Sequence, residues 1–397
     1  MKIALCLEYP IDQHGGTEVL VRELIRGLAK NHRMVLASPD DAASFERSQA
    51  AAFVAEHISF TPVWNSISRA RELAGKIARS KPDIAHFHFG GNYGWGSRAF
   101  WKCPVVHLRK SGVPCVSTNH GAFSILEGYC WEKRPLAVKL ALFAPAWLSK
   151  QFVLAHLRCE AAVSQNDFHN LRRWYPAMRK KFRWIYHSRL HGTPPPENPN
   201  REKIILCAGT IGPRKAQPLL AAAFARVAKK FPGWRLVFIG RADDDAMMAE
   251  IREIIARGKL EEQIQFLGSR SDDELRDWLQ RSAIFAMPSI YEGLGLSLQE
   301  AQFYGCACVA TRSGGVSDLI EDGENGFLTP VGQSMPLAGA LEKLMCDEKL
   351  REQFGRHAPQ SVLEKGMTAD KMVRKYEDLY AEILNRPIGQ PNLPPPK

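Results

Sequence analysis

The run Pro288-Ser289-Ile290-Tyr291-Glu292-Gly293-Leu294-Gly295-Leu296-Ser297-Leu298-Gln299-Glu300-Ala301 follows a short apolar stretch at residues 284–287 and leads into a helical pattern. A strand, a glycine-rich turn and a helix start, in that order, are the opening of a strand–helix unit. Gly293 and Gly295 let backbone come close to a ligand, and the helix start offers free N–H groups and the positive end of its dipole. A diphosphate is the natural occupant. Glu292 falls in the loop and Glu300 a turn or more into the helix. One carboxylate can then face a sugar while the other accepts hydrogen bonds from a ribose diol. The competing reading is a capped helix with two solvated glutamates, because two acids eight residues apart are common.

Working outward, the same strand-then-helix alternation recurs along the chain. Residues 3–7 are apolar, and Gly15-Gly16 lead into a helix whose Leu20, Val21, Leu24, Ile25 and Leu28 line one face. A second helix carries Ile67, Ala70, Leu73, Ala74 and Ile77 and stops near Lys81-Pro82. Strands are expected at 84–87, 113–117 and 161–164. Composition then shifts at residues 191–200, where Pro194-Pro195-Pro196 cannot sit in a central strand or a helix interior. Beyond it the alternation restarts, with strands expected at 204–208, 236–239, 264–267, 284–287 and 308–310. Short unalternating strands between amphipathic helices signal a parallel sheet covered on both faces. The reading is α/β: two doubly wound domains, 1–190 and 203–385, joined by a linker at 191–202, with the last helix free to pack back on the first domain. The proline-rich tail at 386–397 is expected to be loose.

Composition bounds the function. The chain has 397 residues, 45% of them hydrophobic and 24% charged, which excludes disordered and fibrous classes. No run of about 18 apolar residues exists, so a spanning helix is not expected. An acid at Glu8 interrupts the first apolar run too early for a signal peptide, which favours a cytoplasmic first strand. Nine scattered cysteines without a Cys-x-x-Cys pair read as reduced, buried thiols, and neither metal nor other cofactor is expected. Asp243 and Asp245 read as acids at a positive helix start rather than metal ligands. The first strand lacks Gly-x-Gly-x-x-Gly before its helix, which argues against a dinucleotide dehydrogenase.

From Pro288 onward the chain resembles the GT-B glycosyltransferases of family 4, the retaining enzymes that use nucleotide sugars. The match runs through Pro288-Ser289, Glu292-Gly293, Glu300-Ala301, Gly305-Cys306-Ala307-Cys308-Val309-Ala310-Thr311, Ser313-Gly314-Gly315 and Asp322-Gly323-Glu324-Asn325-Gly326-Phe327-Leu328. Upstream, Gly209-Thr210-Ile211-Gly212-Pro213-Arg214-Lys215 resembles the family's basic loop, though Thr210 stands where many members carry arginine. The resemblance implies two Rossmann-like domains facing across a cleft. It implies Lys215 and Arg214 on the donor diphosphate beside Gly209, and Glu300 on the ribose. Glu292 with the backbone of Gly293, Leu294, Gly295 and Leu296 would hold the donor sugar. The base would lie near Gly268 and Arg270. From the first domain it implies Gly15 and Gly16 approaching the donor, and His120, in Asn119-His120-Gly121, bonded to a sugar hydroxyl rather than acting as a base. His86 and His88 read as mainly structural. At Ile185-Tyr186-His187-Ser188 the chain departs from the family's usual Asn-Gly, and no function is carried there. The alternative is a non-catalytic nucleotide-sugar or glycan-binding protein of the same fold.

Net charge is +11, and residues 131–191 hold twelve Lys and Arg against three acids, a net +9. Trp131, Phe143, Trp147, Phe152, Trp174, Tyr175 and Trp184 are interleaved. Two readings fit: a face lying peripherally on an anionic membrane, which suggests a lipid-linked or membrane-proximal glycan acceptor, or a solvated basic face over buried aromatics. No nucleic-acid-reading module is recognisable.

Overall fold

The computed structural model describes residues 1–12, 15–63, 65–89, 99–121 and 135–385. They divide into two compact units, Met1–Arg189 together with the segment from Thr368 onward, and Leu190–Met367. The tail expected to be loose, and Trp131 at the start of the basic segment, lie outside the described residues.

The first unit is built on β1 (Lys2–Leu7), β2 (Arg33–Ser38), β3 (Glu56–Ser59), β4 (Ile84–Phe89), β5 (Cys115–Asn119), β6 (Cys159–Ala162) and β7 (Phe182–Trp184). All pairs are parallel, in the order β3-β2-β1-β4-β5-β6-β7. The connecting helices are α1 (Gly16–Leu28), α2 (Ala42–Glu46), α3 (Ile67–Arg79), α4 (Pro104–Leu108), α5 (Leu136–His156) and α6 (Gln165–Trp174). Central strands are buried on both faces, which is why β1 reads as unbroken apolar sequence. Serine side chains start two of the helices: Ser66 accepts from Arg69 N at α3, and Ser164 from Asp167 N at α6.

The second unit holds β8 (Glu202–Ala208), β9 (Arg235–Ile239), β10 (Ile264–Phe266), β11 (Ser282–Met287), β12 (Ala307–Thr311) and β13 (Gly326–Thr329). Their order is β10-β9-β8-β11-β12-β13, again parallel. Around them lie α7 (Gln217–Val227), α8 (Asp245–Gly258), α9 (Asp272–Arg281), α10 (Leu296–Phe303), α11 (Val316–Leu319), α12 (Ser334–Cys346) and α13 (Glu348–Glu364). Leu220, Phe224, Phe238, Ile284, Leu341 and Phe354 are at the centre of its core.

The final helix, α14 (Ala369–Ile383), belongs to the first unit. It packs on α1, and its buried Tyr376 and Tyr380 hydrogen-bond to residues of β4 and β5. Two expected strands are displaced by about two residues: 113–117 becomes β5 at Cys115–Asn119, and 161–164 becomes β6 at Cys159–Ala162. The expectation passed over β2, β3, β7 and β13. The Pro194-Pro195-Pro196 run forms no helix or strand. With α13 and Arg201 it lines a cavity of about 390 Å³ at the amino-terminal ends of β8 and β11, away from the loops considered next.

Candidate active site

In a parallel sheet the loops leaving the carboxyl ends of the strands form the usual ligand-binding edge. In the second unit two such loops converge. The loop after β8 carries Gly209, Arg214 and Lys215, and the loop after β11 carries Glu292, Gly293, Leu294 and Gly295 before Leu296 opens α10. Backbone fastens them together: Ile290 N donates to Arg214 O at 2.8 Å, and Arg214 Nη1 donates to Tyr291 O at 3.1 Å. Gln217 braces the basic loop, its Nε2 donating to Thr210 O at 3.0 Å while its Oε1 accepts from Gly212 N at 3.3 Å. From β12, Thr311 Oγ1 donates to the carbonyl of Ser289 and, at 3.4 Å, to that of Met287.

The product is a charge cluster. Glu292 lies 2.8 Å from Lys215 Nζ through Oε1 and 3.1 Å from Arg214 Nη1 through Oε2. Its side chain is only 8% exposed. Burial alone would push this carboxyl up, but the neighbouring Lys215 and Arg214 charges outweigh it and hold it at about 2. Glu292 is therefore ionised at neutral pH, and the cluster keeps a surplus positive charge. Gly314 approaches the same loop, since a Cβ there would stand 2.0 Å from Glu292 O, while Gly315 N donates to that oxygen at 3.0 Å.

Gly295 adopts φ +100 as the residue before α10, a left-handed conformation that suits glycine. The first amides of α10 lack intrahelical partners, as at any helix start. Glu300 lies one turn inside α10 and is 7% exposed. Gly209 sits against Lys215, whose Cε would be 3.4 Å from a Cβ at that position. Gly209 N donates to Ile239 O at 2.8 Å, and Gly240 N donates to Gly268 O at 3.0 Å, which ties the ends of β8, β9 and β10. Arg270 is turned into its own segment, 3.6 Å from Glu274 and donating to Ser269 O. Asp244 rather than Asp243 or Asp245 caps α8, accepting from Met247 N at 3.0 Å, and Asp243 pairs with Arg241.

In the first unit Gly15 precedes α1 and Gly16 opens it, at the carboxyl end of β1. His120 follows β5, two strands along the sheet. It belongs to a cluster that sequence reasoning split apart. His88 Nδ1 and His120 Nε2 are 3.2 Å apart, and the His187 ring lies edge-on 5.2 Å from the His120 ring. His86 joins Tyr380 OH at 2.6 Å and Thr118 Oγ1 at 2.8 Å, and Tyr376 OH meets Thr118 Oγ1 and His187 Nε2, both at 2.7 Å. Burial lowers the pKa of His120 to about 4, and burial together with the neighbouring imidazoles takes His86, His88 and His187 well below their usual value. All four are neutral at pH 7. His187 and Tyr376, given no part by the sequence, are integral to this cluster.

The basic segment is partly consumed by the fold. Lys150 is buried against Glu160 at 2.7 Å. Lys181 Nζ donates to the carbonyls of Leu154, Ala155 and Leu157 at the end of α5, and Arg183 pairs with Glu382. Arg158, Arg172, Arg173, Arg179 and Lys180 are exposed. Among the described residues no helix is long and apolar enough to cross a membrane.

The sequence model described as "Glycosyltransferase Family 4" matches residues 14–188, and that described as "Glycosyl transferases group 1" matches residues 193–361. A D-inositol 3-phosphate glycosyltransferase of Streptomyces bingchenggensis is 26% identical over 319 residues, covering 76% of this chain and 67% of that protein. An N-acetyl-alpha-D-glucosaminyl L-malate synthase of Bacillus anthracis is 29% identical over 183 residues, 46% of each chain. The chain thus spans between about half and two thirds of the length of these curated relatives. Among solved structures, Anabaena HepE in complex with UDP and glucose superposes with a TM-score of 0.73 at 18% identity, covering 96% of this chain and 100% of that one. Sucrose-phosphate synthase of Thermosynechococcus elongatus gives 0.74 at 18% identity, with 97% and 99% covered. The tandem match over both parallel-sheet units means that this chain belongs to the glycosyltransferases of family 4 and has the GT-B fold.

Proposed function

We propose that this chain transfers a glycosyl unit from a UDP- or GDP-linked sugar to a glycan or lipid-linked acceptor, with retention of anomeric configuration, in the building of a cell-surface polysaccharide or glycolipid. The observation that carries the reading is the Arg214–Lys215–Glu292 cluster beside the start of α10. As the glycosidic bond breaks, the sugar carbon becomes oxocarbenium-like and the departing diphosphate gains charge. Lys215, Arg214 and the first amides of α10 offset that charge, which lowers the barrier without a metal. Glu292 and the backbone of Gly293 to Leu296 orient the sugar, Glu300 accepts from the ribose hydroxyls, and His120 hydrogen-bonds a sugar hydroxyl. HepE, solved with UDP and glucose, supports a nucleotide-sugar donor.

The acceptor is assigned to the first unit. Exposed Trp101, Val138, Leu148 and Trp184 accompany the exposed arginines there. Such a mixture suits peripheral contact with an anionic bilayer, each cation near the surface adding ~1 kcal/mol. Donor hydrolysis and transfer across UDP-, GDP- and ADP-sugars tests the activity, and no turnover with any of them refutes it. Sedimentation with anionic liposomes at low and high salt tests the membrane contact, and absence of binding at low salt refutes it.

A further inference from the structure

We infer that His88 is a positioning residue that fixes His120 as the Nδ1–H tautomer, so that His120 meets its ligand as a hydrogen-bond donor. The argument starts from proton counting. His88 Nδ1 and His120 Nε2 lie 3.2 Å apart, and two neutral rings sharing that bond place one proton in it. Two arrangements are open. In one, His120 Nε2–H donates to His88 Nδ1, and the His88 proton must sit on Nε2. That nitrogen is buried and has no partner among the described residues, on a side chain 1% exposed. A buried N–H without an acceptor is among the rarest and costliest features of a folded protein. In the other arrangement His88 Nδ1–H donates to His120 Nε2, and the orphan on His88 is only a bare lone pair. The second arrangement is favoured.

Its consequence falls on His120. With Nε2 accepting from His88, the His120 proton sits on Nδ1, the one ring nitrogen left for a ligand. His120 then donates to an oxygen and has no lone pair available to remove a proton. The neighbouring rings hold the geometry: His86 packs at a tilt of 41° against His88 with centroids 3.9 Å apart, and His187 meets His120 edge-on. Register places His88 opposite Thr118 on β5, two residues before His120, so strand pairing itself sets the distance. Any role at the sugar rests on the reading of His120 given above, whereas the tautomer does not.

Long-range proton–nitrogen correlation spectra of the full chain, labelled with nitrogen-15 histidine, test the tautomer directly. The expected result is His120 protonated at Nδ1 and bare at Nε2; a proton on His120 Nε2 overturns the inference. Kinetics test the consequence with whichever UDP-, GDP- or ADP-sugar turns over. Asn supplies a side-chain N–H where the His88 Nδ1–H stood. H88N should keep the His120 tautomer and most of the rate. H88L should lower kcat about 10- to 100-fold with little change in donor KM, and H88L/H120A should be no slower than H120A. A crippled H120A beside an unimpaired H88L, or additive losses in the double variant, overturns the positioning role. An unimpaired H120A overturns the donor reading of His120 instead, and the spectra still decide the tautomer.

Discussion

Lys215 Nζ sits 2.8 Å from Glu292 Oε1 across two loops that leave β8 and β11, and Arg214 closes on the other carboxylate oxygen at 3.1 Å. The two cations proposed to hold the diphosphate are therefore already engaged by a buried acid. Replacing that acid separates binding from chemistry. Glu292→Gln should bind UDP or GDP at least as tightly as wild type, because the carboxylate no longer repels phosphate, while turnover falls about 10²- to 10³-fold. Calorimetric titration and initial rates check both halves, and unchanged turnover refutes the assigned role.

Gly314 supports Glu292 by leaving room for its carbonyl. Gly314→Ala places a methyl 2.0 Å from Glu292 O at φ +56, so it should lower both stability and turnover. Gly323→Ala is the control, because φ is +85 there but nothing lies within 4 Å. It should cost about 1–2 kcal/mol from the left-handed backbone alone and leave turnover intact. Urea unfolding with parallel rate measurements separates the two.

Lys150 and Glu160 form an ion pair with 1% and 0% side-chain exposure, and Ser117 Oγ donates to the same carboxylate at 2.9 Å. Lys150→Met strands a buried charge and should cost about 3–5 kcal/mol. Adding Glu160→Gln should restore most of it, since neither charge then remains. Equilibrium unfolding of the two variants checks this, and a double variant no better than the single contradicts the pairing.

The imidazole cluster predicts an acid limb. Histidines whose pKa values fold below their usual 6.5, with His120 at about 4, bind protons more readily when unfolded. Their contribution is full above pH 6.5 and is lost as pH falls below it, for His120 towards about 4. Glu292 acts in a lower window: its contribution is full above about 4.5 and is lost towards 2. The urea midpoint should therefore drop between pH 7.5 and 5, and a flat profile across that range contradicts the cluster.

How much of this was legible from residues alone follows from where burial is two-sided. β1, β4, β8, β9, β11 and β12 are interior strands, and their continuous apolar runs stand out. β3, β7 and β13 are sheet edges with mixed sequences such as Glu-His-Ile-Ser, which no apolar run announces. β2 is an exception, since Met34, Val35, Leu36 and Ala37 are as apolar as β1 and carry the same signal. Glu292, Arg214 and Lys215 were singled out by the family resemblance of two local loops, and the structure brings the three side chains together. The histidine cluster was not legible, because His187 and Tyr376 meet across 189 residues of chain. The basic segment misled in part: residue counting cannot show that Lys150 and Lys181 are spent inside the fold.

A crystal structure of the full chain soaked with UDP or GDP reaches the central claim most directly. The expected density puts the diphosphate within hydrogen-bond reach of Lys215 Nζ, the Arg214 guanidinium and the first amides of α10, with the ribose hydroxyls on Glu300. A nucleotide bound elsewhere, or one bound while Lys215 and Arg214 stay closed on Glu292 without touching phosphate, would contradict it.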